Sequence, residues 1–235
     1  MKRFNHDLID IEQLVQINED GKRHYETPNG NKYPSITTVL AVLSKAALQE
    51  WRNRVGEETA NKITRSSSSR GTNAHKVIEK YIWNKENYLN GSMPDAIELF
   101  KEIQPVLDEK VDNVRMIEGR LWSDEYKIAG TVDLISDWDG VLSAIDWKTS
   151  LKHVNEGHPK LEKYKLQGTA YAKMFEERTG IEVPQVIVAI MVSGMNSIPS
   201  VKFSGIEEEN PNVLIFKTTP LEWENRLREL CETHK

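Results

Sequence analysis

The stretch "AGTVDLISDWDGVLSAIDWKTS", residues 129–150, decides the fold and poses the chemical question. Two apolar runs flank Asp137-Trp138-Asp139-Gly140, a turn signature that predicts two consecutive strands joined by a tight hairpin. Side chains alternate along a strand, so Asp146 and Lys148 project together while Trp147 points the other way. In an antiparallel hairpin Asp133 lies beside Asp146. A buried charge costs on the order of several kcal/mol unless it is paired or holds a metal. An exposed Asp146–Lys148 ion pair would be cheap, but the flank "VLSAI" reads as a buried strand. Two close carboxylates raise each other's pKa unless a cation neutralises them, and clustered carboxylate oxygens suit Mg²⁺ or Mn²⁺. Such an ion acidifies water and stabilises a phosphoryl transition state, while Lys148 positions a nucleophile or offsets developing charge.

Outward from this hairpin the pattern predicts a mixed α/β (α+β) chain. Before it, "VRMIEGRLWS" reads as a third strand, and "MPDAIELFKEIQPVLDEK" as an amphipathic helix bent or ended near Pro105. Further upstream, Asp20-Gly21 and Asn29-Gly30 signal small strands or a hairpin, and "SITTVLAVLSK" a short buried helix capped by Ser35. A second helix is expected over "ALQEWRNRVGEETANKIT". The serines of "RSSSSRG" then make a loop or a helix start, after which helical spacing resumes. After the hairpin come a long helix stopped by Gly180, the buried strand "PQVIVAIMVS", the strand "NVLIFKTT" and a closing helix after Pro220. These elements give a central mixed sheet flanked by helices. The expectation is one domain over residues 1–235, with a helical and hairpin extension at 1–68 and a core at 69–235.

The 235 residues, 38% hydrophobic and 29% charged, have an ordinary globular composition with no run of membrane-spanning length. The start lacks a signal-peptide pattern and is too acidic for a mitochondrial presequence, so a cytoplasmic location is expected. One cysteine, Cys231, excludes an intramolecular disulfide, a cysteine-rich zinc site and a four-cysteine iron–sulfur cluster. A net charge of −5 argues against coating nucleic acid by bulk electrostatics. Between Lys45 and Lys76, however, Lys45, Arg52, Arg54, Lys62, Arg65, Arg70 and Lys76 outnumber Glu50, Glu57 and Glu58. This segment is either a solvated helical face or a path for a polyanion.

Four segments in order, "RGTNAHKVIEKYI", "GTVD", "DWK" and "QGTAY", resemble the motifs of the PD-(D/E)XK nuclease superfamily, within it the RecB-like exonuclease branch. The preceding "YPSITTVL…W…R" resembles mitochondrial and phage-encoded exonucleases of that branch. The resemblance implies a restriction-endonuclease-like core in which His75, Asp133, Asp146 and the Trp147 main-chain carbonyl hold one or two Mg²⁺ or Mn²⁺ ions and Lys148 attends the attack on phosphorus. Gln167 and Tyr171, one helical turn apart, either contact the phosphate backbone or brace the catalytic strand. Gly168 costs roughly 1 kcal/mol inside a helix, which points to close approach of a strand or of DNA. Glu79, at i+4 from His75, either fixes its tautomer or faces solvent, and Glu118 is either an extra ligand or a solvent-facing edge residue. Arg70 and Thr72, placed before the histidine helix, either receive phosphate at the helix N-terminus or simply cap it. Trp51 offers stacking to a single strand, and Thr149 follows the catalytic lysine towards DNA.

The implied activity is a metal-dependent DNA exonuclease favouring single-stranded ends in replication, recombination or repair, with replication or recombination proteins as partners. A structure-specific endonuclease on the same site and a catalytically decayed nucleic-acid-binding protein are the alternatives. No Walker motif is present, so the chain carries no helicase motor of its own.

Overall fold

The computed structural model of the chain describes residues 2–19, 21–193 and 211–234. Near the start, β1 (Val15–Glu19), β2 (Lys22–Glu26) and β3 (Lys32–Pro34) form an antiparallel sheet, as the turn signals require; Asp20 of the first turn lies outside the described residues. Ser35 caps the short helix α1 (Ile36–Val39) by accepting from the Thr38 N–H, and a 3₁₀ turn over Leu40–Ser44 leads on.

Two helical expectations need correction. The helix expected over residues 47–64 is broken at Gly56, whose φ of 84° ends α2 (Lys45–Val55) and starts α3 (Glu57–Ile82). The serine run is neither loop nor helix start: Ser66–Ser69 lie inside the 26 residues of α3. Serine is only a few tenths of a kcal/mol worse than the better helix formers. That cost is overridden because the next turns of α3 bury Ala74, Val77, Ile78, Tyr81 and Ile82. The same helix runs across the 68/69 boundary drawn from sequence. Pro105 does not end α4 (Pro94–Lys110).

The central sheet has the order β4 (Val111–Ser123), β5 (Ile128–Trp138), β6 (Val141–Ser150), β7 (Gln185–Val192) and β8 (Val213–Thr218). All neighbouring pairs are antiparallel except β6 with β7. The hairpin turns at Asp139 and Gly140, both at positive φ (52° and 77°), the type I′ geometry that matches strand twist. Helix α5 (Pro159–Thr179), ended by Gly180 in the left-handed region, makes the crossover from β6 to its parallel partner β7.

Alternate residues of the strands build two apolar layers. Ile145, Trp147, Ile187 and Ala189 pack with Val77, Ile78, Leu99 and Ile103 of α3 and α4. Ala144 and Val186 pack on the other side with Leu166, Ala170 and Phe175 of α5 and Leu227 of α6 (Pro220–Thr233). The result is an α+β fold, a mixed sheet with helices on both faces. No helix among the described residues is long and apolar enough to cross a membrane.

Candidate active site

Pairing between β5 and β6 runs from Trp138↔Val141 to Leu134↔Ile145 and stops immediately before the two aspartates. There the Asp133 carboxylate takes over the ladder: its Oδ2 accepts the Trp147 main-chain N–H at 2.8 Å. The other oxygen, Oδ1, lies 3.4 Å from Nδ1 of His75, which α3 delivers to the sheet. On the other side of β5 the register Ile117↔Leu134 and Gly119↔Val132 sets Glu118 opposite Asp133. Glu118 has a φ of 48°, a left-handed conformation inside a strand. For a residue with a Cβ this costs on the order of 1 kcal/mol, the kind of local strain that collects at functional sites. Ligand atoms of His75, Glu118 and Asp133 lie within 4.8 Å of one another.

Asp146 is 1% exposed and is held from two sides. Gln167 donates from Nε2 to its Oδ1 at 3.2 Å, and the Lys148 ammonium pairs with its Oδ2. Gln167 also donates to the Tyr171 hydroxyl at 2.9 Å. Both α5 residues are buried, and their hydrogen bonds run to Asp146 of β6 and to each other. A Cβ on Gly130 would stand 2.8 Å from Tyr171 Cε1, and one on Gly168 2.3 Å from Val186 Cγ1. Thus the glycine of "GTVD" makes room for the tyrosine of "QGTAY", and the close approach at Gly168 is that of strand β7.

The electrostatics follow from burial and crowding. Burial and the Asp133 charge push the Glu118 carboxyl up to about 7. Burial disfavours His75 protonation, but the Asp133 carboxylate overrides it and raises the imidazole to about 9. Asp133 is itself held low against its burial, chiefly by His75 and Lys148. Burial lifts Asp146 to about 6 despite Lys148. Lys148 is held above its ordinary value because Asp146 and Asp133 outweigh its own desolvation.

Other expected residues are spread around this centre. Glu79 is close enough for its charge to add to the rise at Glu118. Thr149 Oγ1 packs near Gly71, 3.6 Å from where a Cβ would stand, so α3 crosses the end of β6 here. Arg70 and Thr72 lie deep inside α3, not before it, which removes the helix-terminus explanation for phosphate affinity at that point. Arg70 nevertheless buries its Nε without a hydrogen-bond partner among the described residues. Trp51 is partly exposed on α2, a helix that buries none of its residues.

Tyr164 was not foreseen: its ring lies 5.1 Å from the Lys148 ammonium. Extending the Gln167–Tyr171 stripe one turn towards the helix start is the signal that would have found this region.

A divalent cation suits the residues present. The donor set is two carboxylates and an imidazole with mutually close ligand atoms. The Glu118 carboxyl is raised by burial first and then by the neighbouring Asp133, Glu79 and Asp146 charges, and a cation would relieve that crowding of carboxylates.

A family model of the PD-(D/E)XK nuclease superfamily matches residues 38–233. Among curated proteins, mitochondrial genome maintenance exonuclease 1 of Mus musculus is 28% identical over 130 residues, which make up 52% of this chain and 38% of the relative. That of Homo sapiens is 26% identical over 132 residues, with the same shares. Well under half of each relative's length is therefore matched. With the family model spanning most of the chain and a mixed sheet carrying the acidic and lysine residues on adjacent strands, the chain belongs to the PD-(D/E)XK nuclease superfamily, whose members use divalent metal ions.

Proposed function

We propose that the protein is a Mg²⁺- or Mn²⁺-dependent exonuclease that hydrolyses phosphodiester bonds of DNA, favouring single-stranded ends, in replication, recombination or repair. The observation that carries this reading is the convergence of Glu118, Asp133, Asp146, His75 and Lys148 where β5 and β6 part. The names of the matched relatives support the exonuclease assignment. Residues 1–235 act as one unit in this reading, because α3 joins the basic N-terminal segment to the core.

In the proposed roles, His75, Glu118 and Asp133, together with Asp146 and the Trp147 main-chain carbonyl, would hold the cation. When bound, the ion supplies Lewis acidity towards a phosphoryl oxygen and acidifies water. Lys148 keeps its charge beside Asp146 and offsets negative charge as the phosphorus is attacked. Tyr164 and Asp146 confine the ammonium between them, which fixes its direction. Gln167 and Tyr171 hold Asp146 in place from behind. Arg70 and Thr149 receive the phosphate backbone, and Trp51 stacks on an unpaired base.

Digestion of matched linear and circular single-stranded DNA with Mg²⁺ tests the requirement for an end. Loss of the linear form with survival of the circle is expected; cutting of the circle at a similar rate would instead establish an endonuclease.

A further inference from the structure

Helix α5 carries the lysines Lys160, Lys163, Lys165 and Lys173. Lys160 is exposed. Lys165 and Lys173 are largely covered, and each has a carboxylate: Lys165 meets Glu156 at 2.9 Å, and Lys173 meets Glu176 at 2.9 Å and Glu224 at 3.2 Å. Lys163 breaks this pattern. It is half-buried yet makes no ion pair or hydrogen bond with a described residue.

Its position in the fold is specific. Lys163 stands one helical turn before Gln167, the residue that holds Asp146, and next to Tyr164, whose ring lies against Lys148. Lys163 and Gln167 thus lie on one side of α5, and the charge of Lys148 is felt at Lys163. Burial and the repulsion from Lys148 both act against the charge on Lys163. A half-buried cation beside a like charge is a cost to the free protein, and an arriving anion removes that cost.

We infer that Lys163 receives a DNA backbone phosphate adjacent to the one at the catalytic strand, from its place on α5 beside Tyr164 and Gln167. The inference rests on the nuclease reading and names a contact beyond the family motifs. Lys163 is a positioning residue: it binds a phosphate that does not react. Its contribution is to ground-state and transition-state binding alike, so its loss appears in KM more than in kcat.

The test uses a labelled single-stranded oligonucleotide and fluorescence anisotropy in EDTA and with Ca²⁺ in place of Mg²⁺, over a salt series, for the wild type, Lys163→Ala and Lys163→Arg. Loss of one phosphate contact is expected to weaken binding about five- to tenfold at low salt and to flatten the log–log salt slope by about 0.7. Lys163→Arg is expected to restore most of both. In Mg²⁺, KM of Lys163→Ala rises while kcat changes by less than about twofold. The melting temperature of Lys163→Ala does not fall, since a repulsion has been removed; a lysine with a merely structural role would destabilise when truncated. Unchanged affinity and slope in a variant whose wild type cleaves DNA overturns the inference and leaves the nuclease reading intact. A wild type that neither binds nor cleaves DNA overturns both.

Discussion

The Asp133 carboxylate joins two elements: Oδ2 accepts the Trp147 main-chain N–H at 2.8 Å, while Oδ1 lies 3.4 Å from Nδ1 of His75. One side chain thereby closes the gap between two parting strands and faces the histidine of the helix above them. Asp133→Asn keeps the size but removes the charge that holds His75 protonated and that a cation would use. Cleavage is expected to fall at least about a hundredfold, with a melting shift of only a few degrees, because an amide oxygen still accepts the Trp147 N–H. Near wild-type turnover by this variant would remove Asp133 from the chemistry.

Glu118→Gln separates cation binding from fold. The side chain sits opposite Asp133, and its carboxyl is raised to about 7 by burial and neighbouring carboxylates. Removing its charge is expected to weaken Mn²⁺ binding about tenfold or more in isothermal titration calorimetry, while the cation-free protein melts at the same temperature or higher. Unaltered Mn²⁺ affinity would show that Glu118 is no ligand.

The raised values at Glu118 and His75 set a pH dependence for protein prepared without divalent cations. Glu118 goes from its ordinary 4.5 to about 7, and His75 from 6.5 to about 9. A group whose folded value is raised stabilises the fold fully below its unfolded value, and this is lost as pH rises through the folded value. The melting temperature without cation is therefore expected to drop by roughly 5 °C or more between pH 5 and pH 9. Added Mg²⁺ competes with the same protons and flattens the decline. A cation-free melting curve independent of pH would contradict these shifts.

Gly168→Ala sets helix propensity against packing. Alanine gains roughly 1 kcal/mol in a helix interior, but its Cβ would stand 2.3 Å from Val186 Cγ1 on β7. Overpacking of this kind costs about 1–3 kcal/mol, so net destabilisation of up to about 2 kcal/mol is expected in urea unfolding. Cleavage should also fall, since Gln167 and its bond to Asp146 must shift with the helix. A variant more stable than the wild type would show that the helix and strand are not in firm contact.

The sheet was legible because its signals are local: alternation, the Asp139-Gly140 turn and the stop at Gly180 act within a few residues. The α3 serine run was misread because its helix is maintained by tertiary burial of Ala74, Val77 and Ile78, which propensity does not register. Arg70 and Thr72 were misplaced for the same reason. Asp133, Asp146, Lys148, His75 and Gln167 stood out by spacing and resemblance, and the structure brings them together. What no spacing conveys is inter-strand register, which sets Glu118 opposite Asp133. Tyr164 was missed because what singles it out is its place beside Lys148, and Lys163 because its partial burial without a carboxylate partner among the described residues is visible only in the fold.

The most direct test is digestion of single-stranded DNA labelled at the 5′ or the 3′ end with Mg²⁺ or Mn²⁺, beside EDTA and Lys148→Ala controls. Progressive shortening that EDTA abolishes and Lys148→Ala reduces at least about a hundredfold is the expected result, with the label released first giving the direction. Folded wild-type protein that binds the cation yet leaves every single- and double-stranded DNA intact would contradict the account and leave a binding protein in its place.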